Sequence, residues 1–229
     1  MRTVAFIPAR QTSRRFPGKN LALLAGVSLL ARSVEVALAA KALGVVTDVV
    51  VSVEEYSMAL AADKAGATAF YRSPEARNAD ATVLDVTRDF LETNQGCDLV
   101  CLLLPTSPLR TPKHIVESRL LLSETADAVM SVTPFRQDVD YALHVTTDGV
   151  VMRHNERGCQ YGERWEGHRY WKHDGSVLWS RASWLTTAKN LYDGRIVPYM
   201  IPAEESCDVN TPLDLEWAAF LRRGSRSHD

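Results

Sequence analysis

The sequence has no run of 18 apolar residues, no C-x-x-C pair, no G-x-x-x-x-G-K-[ST] loop, no G-x-G-x-x-G fingerprint and no internal repeat. Each absence removes a class of protein. Without the apolar run no transmembrane helix is expected. The opening MRTVAFIPAR holds an apolar stretch too short, and too closely followed by charge, for a signal peptide. Cys97, Cys101, Cys159 and Cys207 lack metal-ligand spacing and are expected to be reduced structural thiols of a cytoplasmic protein. The missing glycine fingerprints argue against a P-loop protein and a nicotinamide oxidoreductase. Charge of one sign is also missing: 26 basic residues face 28 acidic ones, a formal net charge of -2. That balance offers no bulk attraction for nucleic acid or an anionic membrane, so phosphate chemistry would have to rest on a local cluster.

What is present is an ordinary apolar content, 46% over 229 residues, enough for one large domain or one domain with a small excursion. Near-continuous apolar runs at Val4–Ala9, Val45–Val53, Leu99–Leu104 and Ala128–Pro134 predict strands covered on both faces, with a shorter strand at Thr68–Tyr71. Helical spacing alternates with them at Ser28–Lys41 (Ser28 as cap), Tyr56–Gly66 (stopped by glycine), Ala81–Asn94 (Asp80 as cap) and Pro112–Glu124 (proline in the first turn). The alternation predicts an α/β fold with a mostly parallel sheet flanked by helices. After about residue 136 the pattern changes. Short strands at Tyr141–Val145, Gly149–Arg153 and Gly175–Ser180 surround a polar, aromatic loop from Asn155 to Lys172. Residues 136–174 are expected to be an excursion that covers the site or makes a dimer contact. The chain then returns through Ile196–Ile201 to a helix at Pro212–Arg222, with a frayed tail from Gly224.

The local cluster follows the first strand. Pro8-Ala-Arg10-Gln11-Thr12-Ser13-Arg14-Arg15-Phe-Pro-Gly-Lys19-Asn20 holds four cations, two hydroxyl residues and a Pro-Gly turn. In an open α/β sheet ligands bind beyond the carboxyl ends of the strands, and a triphosphate needs N–H donors, hydroxyls and Arg or Lys. The alternative is a solvated basic loop, which the position after strand one disfavours.

This loop resembles the opening of the acylneuraminate cytidylyltransferases, the family that makes CMP–sialic acid and its nonulosonic relatives. Three more segments resemble that family in order: Arg72-Ser-Pro-Glu-Ala-Arg-Asn-Ala-Asp-Ala81-Thr, Leu104-Pro-Thr-Ser107-Pro-Leu-Arg110, and Asp208-Val-Asn210-Thr-Pro-Leu-Asp214. The resemblance implies a Rossmann-like nucleotidyltransferase sheet, a homodimer, and CMP transfer from CTP to an anionic acceptor, with a nonulosonic acid as the first expectation and pyrophosphate as the leaving group. A Kdo-like acid or a small phosphonate is the alternative acceptor, and a non-catalytic CTP-binding protein the alternative function. Carried over by position, Arg10, Ser13, Arg14 and Lys19 handle phosphates, with Arg10, Arg14 and Lys19 acting catalytically on the leaving pyrophosphate. Ala9, Asn20, Arg72 and Ala81 complete the nucleotide site. Leu104, Ser107, Arg110 and Arg164 face the acceptor, and Asp208 and Asn210 hold Mg²⁺. Asp214 supports the helix start. Five positions depart from the family pattern: Gln11 and Thr12 replace a glycine pair, Leu104 a glutamine, Asn210 an aspartate and Asp174 an asparagine. The Leu104 and Asn210 changes imply one lost hydrogen bond to the acceptor and weaker metal binding. No general base stands out, since the presence of His114 and His173 is weak evidence.

Overall fold

The computed structural model describes residues 1–10, 13, 15–135, 142–153 and 170–225. In chain order the elements are β1 (Thr3–Pro8), β2 (Leu23–Leu24), β3 (Val27–Ser28), α1 (Leu29–Ala42), β4 (Asp48–Val53), α2 (Tyr56–Lys64), β5 (Thr68–Tyr71) and α3 (Val83–Thr93). They continue through β6 (Leu99–Leu102), α4 (Pro112–Leu120), β7 (Ala128–Pro134), β8 (Leu143–Val145), β9 (Val151–Arg153), β10 (Trp171–Arg181), α5 (Ala182–Thr187), β11 (Ile196–Met200) and α6 (Pro212–Ser225).

Seven strands form one sheet in the order β11-β7-β10-β6-β1-β4-β5, and only β10 runs antiparallel to its neighbours. The expected α/β architecture with a mostly parallel sheet is therefore present. Alternate side chains of each strand serve opposite faces. Ala5, Ile7, Val49, Val51, Cys101 and Val129 pack under α1, α2 and α4. Val4, Phe6, Val50, Val100, Leu102 and Met130 meet α3 and α5. Both faces are buried, which is why these strands read as unbroken apolar runs.

The cap of α1 is as read: the Ser28 hydroxyl accepts from the Ala31 N–H. The cap of α3 is not Asp80 but Thr82, whose Oγ1 accepts from the Asp85 N–H while the Asp85 carboxylate accepts from the Thr82 N–H. A reciprocal pair satisfies two helix-end N–H groups where Asp80 alone could satisfy one. At the other end of the chain, α6 runs through Gly224 to Ser225, past the expected end at Arg222.

Strand β10 starts at Trp171, and Trp171, Lys172 and His173 already pair with β7 in the central sheet. The register then shifts between His173 and Leu178. Gly175 makes that shift possible with φ 74°. A Cβ there would lie 2.9 Å from Leu104 Cδ1 and 3.1 Å from Ser107 Oγ. Gly175→Ala is expected to cost about 1–3 kcal/mol, read as a lower midpoint in urea denaturation.

A candidate nucleotide site at the strand carboxyl ends

The chain leaves β1 toward β4 and β5 on one side and later places β6 on the other, so the order reverses between β1 and β6. Ligands of open α/β sheets bind at such a switch point. A cavity of about 220 Å³ lies there, lined by Pro8, Arg10, Lys19, Asn20, Arg72, Leu104, Pro105, Thr106, Asp208 and Asn210, with Val83 and Val86 of α3. These residues come from five segments of the sequence. A backbone hydrogen bond and a buried side chain join them. The Val209 N–H donates to the Thr106 carbonyl at 2.8 Å, pinning the segment before α6 against the turn after β6. Val209 is fully buried, which leaves Asp208 and Asn210 facing the cavity side.

Arg10, Arg15 and Lys19, the described cations of the first loop, are held by this arrangement. The Lys19 ammonium donates to the Asn210 side-chain carbonyl at 3.3 Å and to the Val209 carbonyl at 3.4 Å. Burial lowers its pKa; Asp208 and Asp214 oppose that, and the Arg15 charge adds to it. Arg15 also donates to Asn210 Oδ1, at 2.8 Å. The Asn20 amide donates to the Arg10 carbonyl at 2.7 Å and sets the return of the loop. Arg10 itself reaches across to the carbonyls of Ala79 and Ala81, tying the loop to the turn before α3. Arg72 is buried, donating to Glu54 at 2.7 Å and to the Ser52 hydroxyl at 2.9 Å. Burial pushes its pKa down to about 10 against the pull of Glu54.

Of the sequence-derived site residues, Arg10, Lys19, Asn20, Arg72, Leu104, Asp208 and Asn210 therefore meet at one cavity. Ser13 is half-buried in the same loop. Arg14, Arg164, Gln11 and Thr12 lie outside the described residues. Five assignments change. Ala9 is a core residue whose N–H donates to the Ser52 carbonyl, so it offers the nucleotide no donor. Ala81 gives its carbonyl to Arg10 and lines a groove along α3 rather than the cavity. Ser107 is buried and donates to the Asp174 carbonyl at 2.9 Å. Arg110 is buried and donates to the carbonyls of Leu104 and Ser176 and to the Ser33 hydroxyl. Neither Ser107 nor Arg110 can face an acceptor. They brace the turn that presents Leu104. The fifth is Asn210, whose carbonyl oxygen is already held by two cations rather than open to a metal.

Asp174 belongs to the same brace. Its buried carboxylate accepts from the Ser131 hydroxyl and from the N–H and hydroxyl of Ser176, and it fills the irregular turn of β10. His114 is structural too. Its ring accepts from the Thr111 N–H and meets Glu205 at 2.8 Å, so it caps α4. His173 is half-buried; burial lowers its pKa, against the charges of Asp174 and Asp208.

Sequence reasoning missed Arg15, Glu54 and Thr106, and it missed a second cavity of about 290 Å³. That cavity is lined by Thr133, Pro134, Phe135, Lys172, Ser206, Cys207, Asp208, Asp214 and Trp217, with Ala203. Asp208 lines both cavities. Thr133 Oγ1 is buried there with no hydrogen-bond partner among the described residues. Lys172, at the end of the polar loop read from the sequence, lies opposite Thr133 in the β10–β7 register and lines the same cavity.

Magnesium takes oxygen ligands and is commonly held by one or two carboxylates plus substrate phosphates. No group of three or more His, Cys, Asp or Glu that could hold a metal occurs among the described residues. Asp208, an exposed carboxylate bonded through Oδ2 to the Asn210 amide at 2.6 Å, fits the one-carboxylate arrangement.

The cytidylyltransferase family model matches residues 4–157, which carry the first loop and the β1–β6 switch point. The chain belongs to the cytidylyltransferase family. Among relatives of this cytidylyltransferase, the CMP-N,N'-diacetyllegionaminic acid synthase of Legionella pneumophila is 30% identical, over 95% of this chain and 94% of that protein. N-acylneuraminate cytidylyltransferase A of Danio rerio is 28% identical over 96% of this chain, which spans 50% of the fish protein. A solved CMP:2-keto-3-deoxy-manno-octonic acid synthetase, complexed with CTP, shares the fold with a TM-score of 0.73 at 19% identity, covering 98% of this chain and all of the other.

Proposed function

We propose that this cytidylyltransferase transfers CMP from CTP to the hydroxyl of a nonulosonic acid, with release of pyrophosphate. The observation that carries the reading is the pair of cavities that meet at Asp208. One is rich in cations and suits a triphosphate. The other offers Lys172 for a carboxylate, the Thr133 hydroxyl for a sugar hydroxyl, and Trp217 for an apolar ring face or acyl group. The names of the relatives agree with that acceptor class.

In the reaction the acceptor hydroxyl oxygen attacks the α-phosphorus, the new O–P bond forms, and the bond to the β-phosphate oxygen breaks. The hydroxyl proton leaves to solvent or to a base. Such transfer depends on positioning and charge neutralisation rather than on a covalent enzyme intermediate. Lys19 offsets the charge of the departing pyrophosphate, and Arg14 is proposed to join it. Arg10 holds the turn before α3 closed over the nucleotide end of the cavity, and Arg72 with Glu54 forms its floor. Asp208 would hold Mg²⁺, which supplies Lewis-acid polarisation of phosphate oxygens. Leu104 presents an apolar side chain on the wall of the first cavity, which favours an acceptor with little polarity at that point.

The reading includes a homodimer and a cytoplasmic protein. The stacked, exposed pair Trp217 and Phe220, with ring centroids 5.2 Å apart, supports the first. The free thiols of Cys97, Cys101 and Cys207 support the second. No helix among the described residues is long and apolar enough to cross a membrane.

The test is pyrophosphate release with CTP and Mg²⁺ over legionaminic, pseudaminic and neuraminic acids, Kdo and small phosphonates. Release with a nonulosonic acid above all others is the expected result. Release with Kdo or a phosphonate alone would overturn the acceptor, and CTP binding without release on any of them would overturn the activity. Lys172→Ala is expected to raise KM for the acceptor about tenfold while leaving KM for CTP in place, as loss of one charge-assisted hydrogen bond implies.

A further inference from the structure

The amide of Asn210 is committed at both ends. Its oxygen accepts from Arg15 at 2.8 Å and from Lys19 at 3.3 Å, and its nitrogen donates to Asp208 at 2.6 Å. Its own backbone N–H is held by Asp214 at 2.9 Å, so the residue cannot swing away without breaking the start of α6. A flipped amide would set its NH₂ against two cations and its oxygen against a carboxylate, so the surroundings fix the orientation. A carboxylate at this position would bring two negative oxygens to hydrogen-bonding distance at Asp208 and would need a cation between them. It would also form ion pairs with Arg15 and Lys19 and cancel part of the charge they present. The neutral amide does neither: its N–H takes the place of the bridging cation, and both side chains keep their full charge. Lys19 lines the nucleotide cavity, and Arg15 sits beside it on the same oxygen.

We propose that Arg15 is a further phosphate-contacting residue of the nucleotide site, and that Asn210 is a positioning residue that holds Arg15 and Lys19 as a charged pair without a divalent cation. The proposal rests on the CTP reading above and deepens it. The triphosphate site is assembled before any metal arrives, and CTP binds to the metal-free protein. Asn210 contributes to that binding through the cations it orients.

The experiment is calorimetric titration of the metal-free protein, in EDTA, with CTP, inorganic triphosphate and cytidine. Arg15→Gln is expected to weaken CTP and inorganic triphosphate alike, by about tenfold, as loss of one charge-assisted contact implies, and to leave cytidine unchanged. Asn210→Asp is expected to weaken metal-free CTP by a similar factor. The double variant is expected to be little weaker than either single one, because Arg15 paired to a carboxylate has less charge to lose. Equal metal-free affinities of the parent and Arg15→Gln for CTP and triphosphate would overturn the proposal, as would tighter metal-free CTP binding by Asn210→Asp. Arg15 is exposed, so its variant tests the idea even where Asn210→Asp folds poorly. A parent protein that binds no CTP with or without Mg²⁺ would overturn both this inference and the proposed function. A parent that binds CTP and releases pyrophosphate, with Arg15→Gln unchanged, would overturn this inference alone.

Discussion

Asp208→Asn is expected to lower kcat/KM for CTP by roughly 10²–10³-fold, the scale of losing one preorganised electrostatic contact in the transition state. The substitution keeps the shape and removes only the charge. Asp208 lines the cation-rich cavity and the Lys172 cavity together, and among the described residues it is the only carboxylate on the wall of the former. It is exposed, so the fold does not depend on it, and the thermal transition should stay in place. The Mg²⁺ concentration giving half-maximal rate should rise, since the remaining amides carry no charge. Steady-state pyrophosphate release across a Mg²⁺ series reads both effects. A variant retaining activity within about tenfold would remove Asp208 from the metal role, because no interaction made only in the transition state would have been lost.

Arg110→Ala is expected to destabilise the protein by about 3–5 kcal/mol, since three buried acceptors would lose their donor at about 1–3 kcal/mol each. The Arg110 guanidinium is buried, and burial pushes its pKa down to about 10. Three partners, the carbonyls of Leu104 and Ser176 and the Ser33 hydroxyl, would lose their donor without gaining water. Arg110→Lys should recover only part of the loss, because one ammonium cannot reproduce the planar fork. For a chain of this size the alanine variant should melt roughly 10 °C lower, which differential scanning calorimetry would measure. An unchanged melting temperature with only a raised KM for the acceptor would return Arg110 to the substrate-facing role that its motif first suggested.

The contrast between Asp208 and Arg110 shows what a motif conveys. Both stand in segments that the sequence marks, and Asp208 stands on the cavity wall because the buried Val209 beside it turns it outward. Arg110 loses its role because the turn after β6 folds back under β10. The strands were legible because burial on both faces leaves an unbroken apolar run, and the cap of α1 because a single Ser stands before it. The cap of α3 was misplaced because Asp80 and Thr82 are both good cap residues, and only the reciprocal bond with Asp85 decides between them.

The sequence by itself determined the α/β class and the basic loop after the first strand, since these depend on local periodicity and residue type, and its resemblance to a family marked the segments that line the cavity. Tertiary structure alone decided which marked residues face the cavity. It drew Arg15 and Lys19 onto Asn210 across some 190 residues of chain. It made Asp174 a brace for an irregular strand, and it set Lys172 beside Thr133 in a second cavity that shares Asp208 with the first. Contacts of that kind depend on strand order and register, which bring distant segments to one edge of the sheet, and no local pattern encodes them.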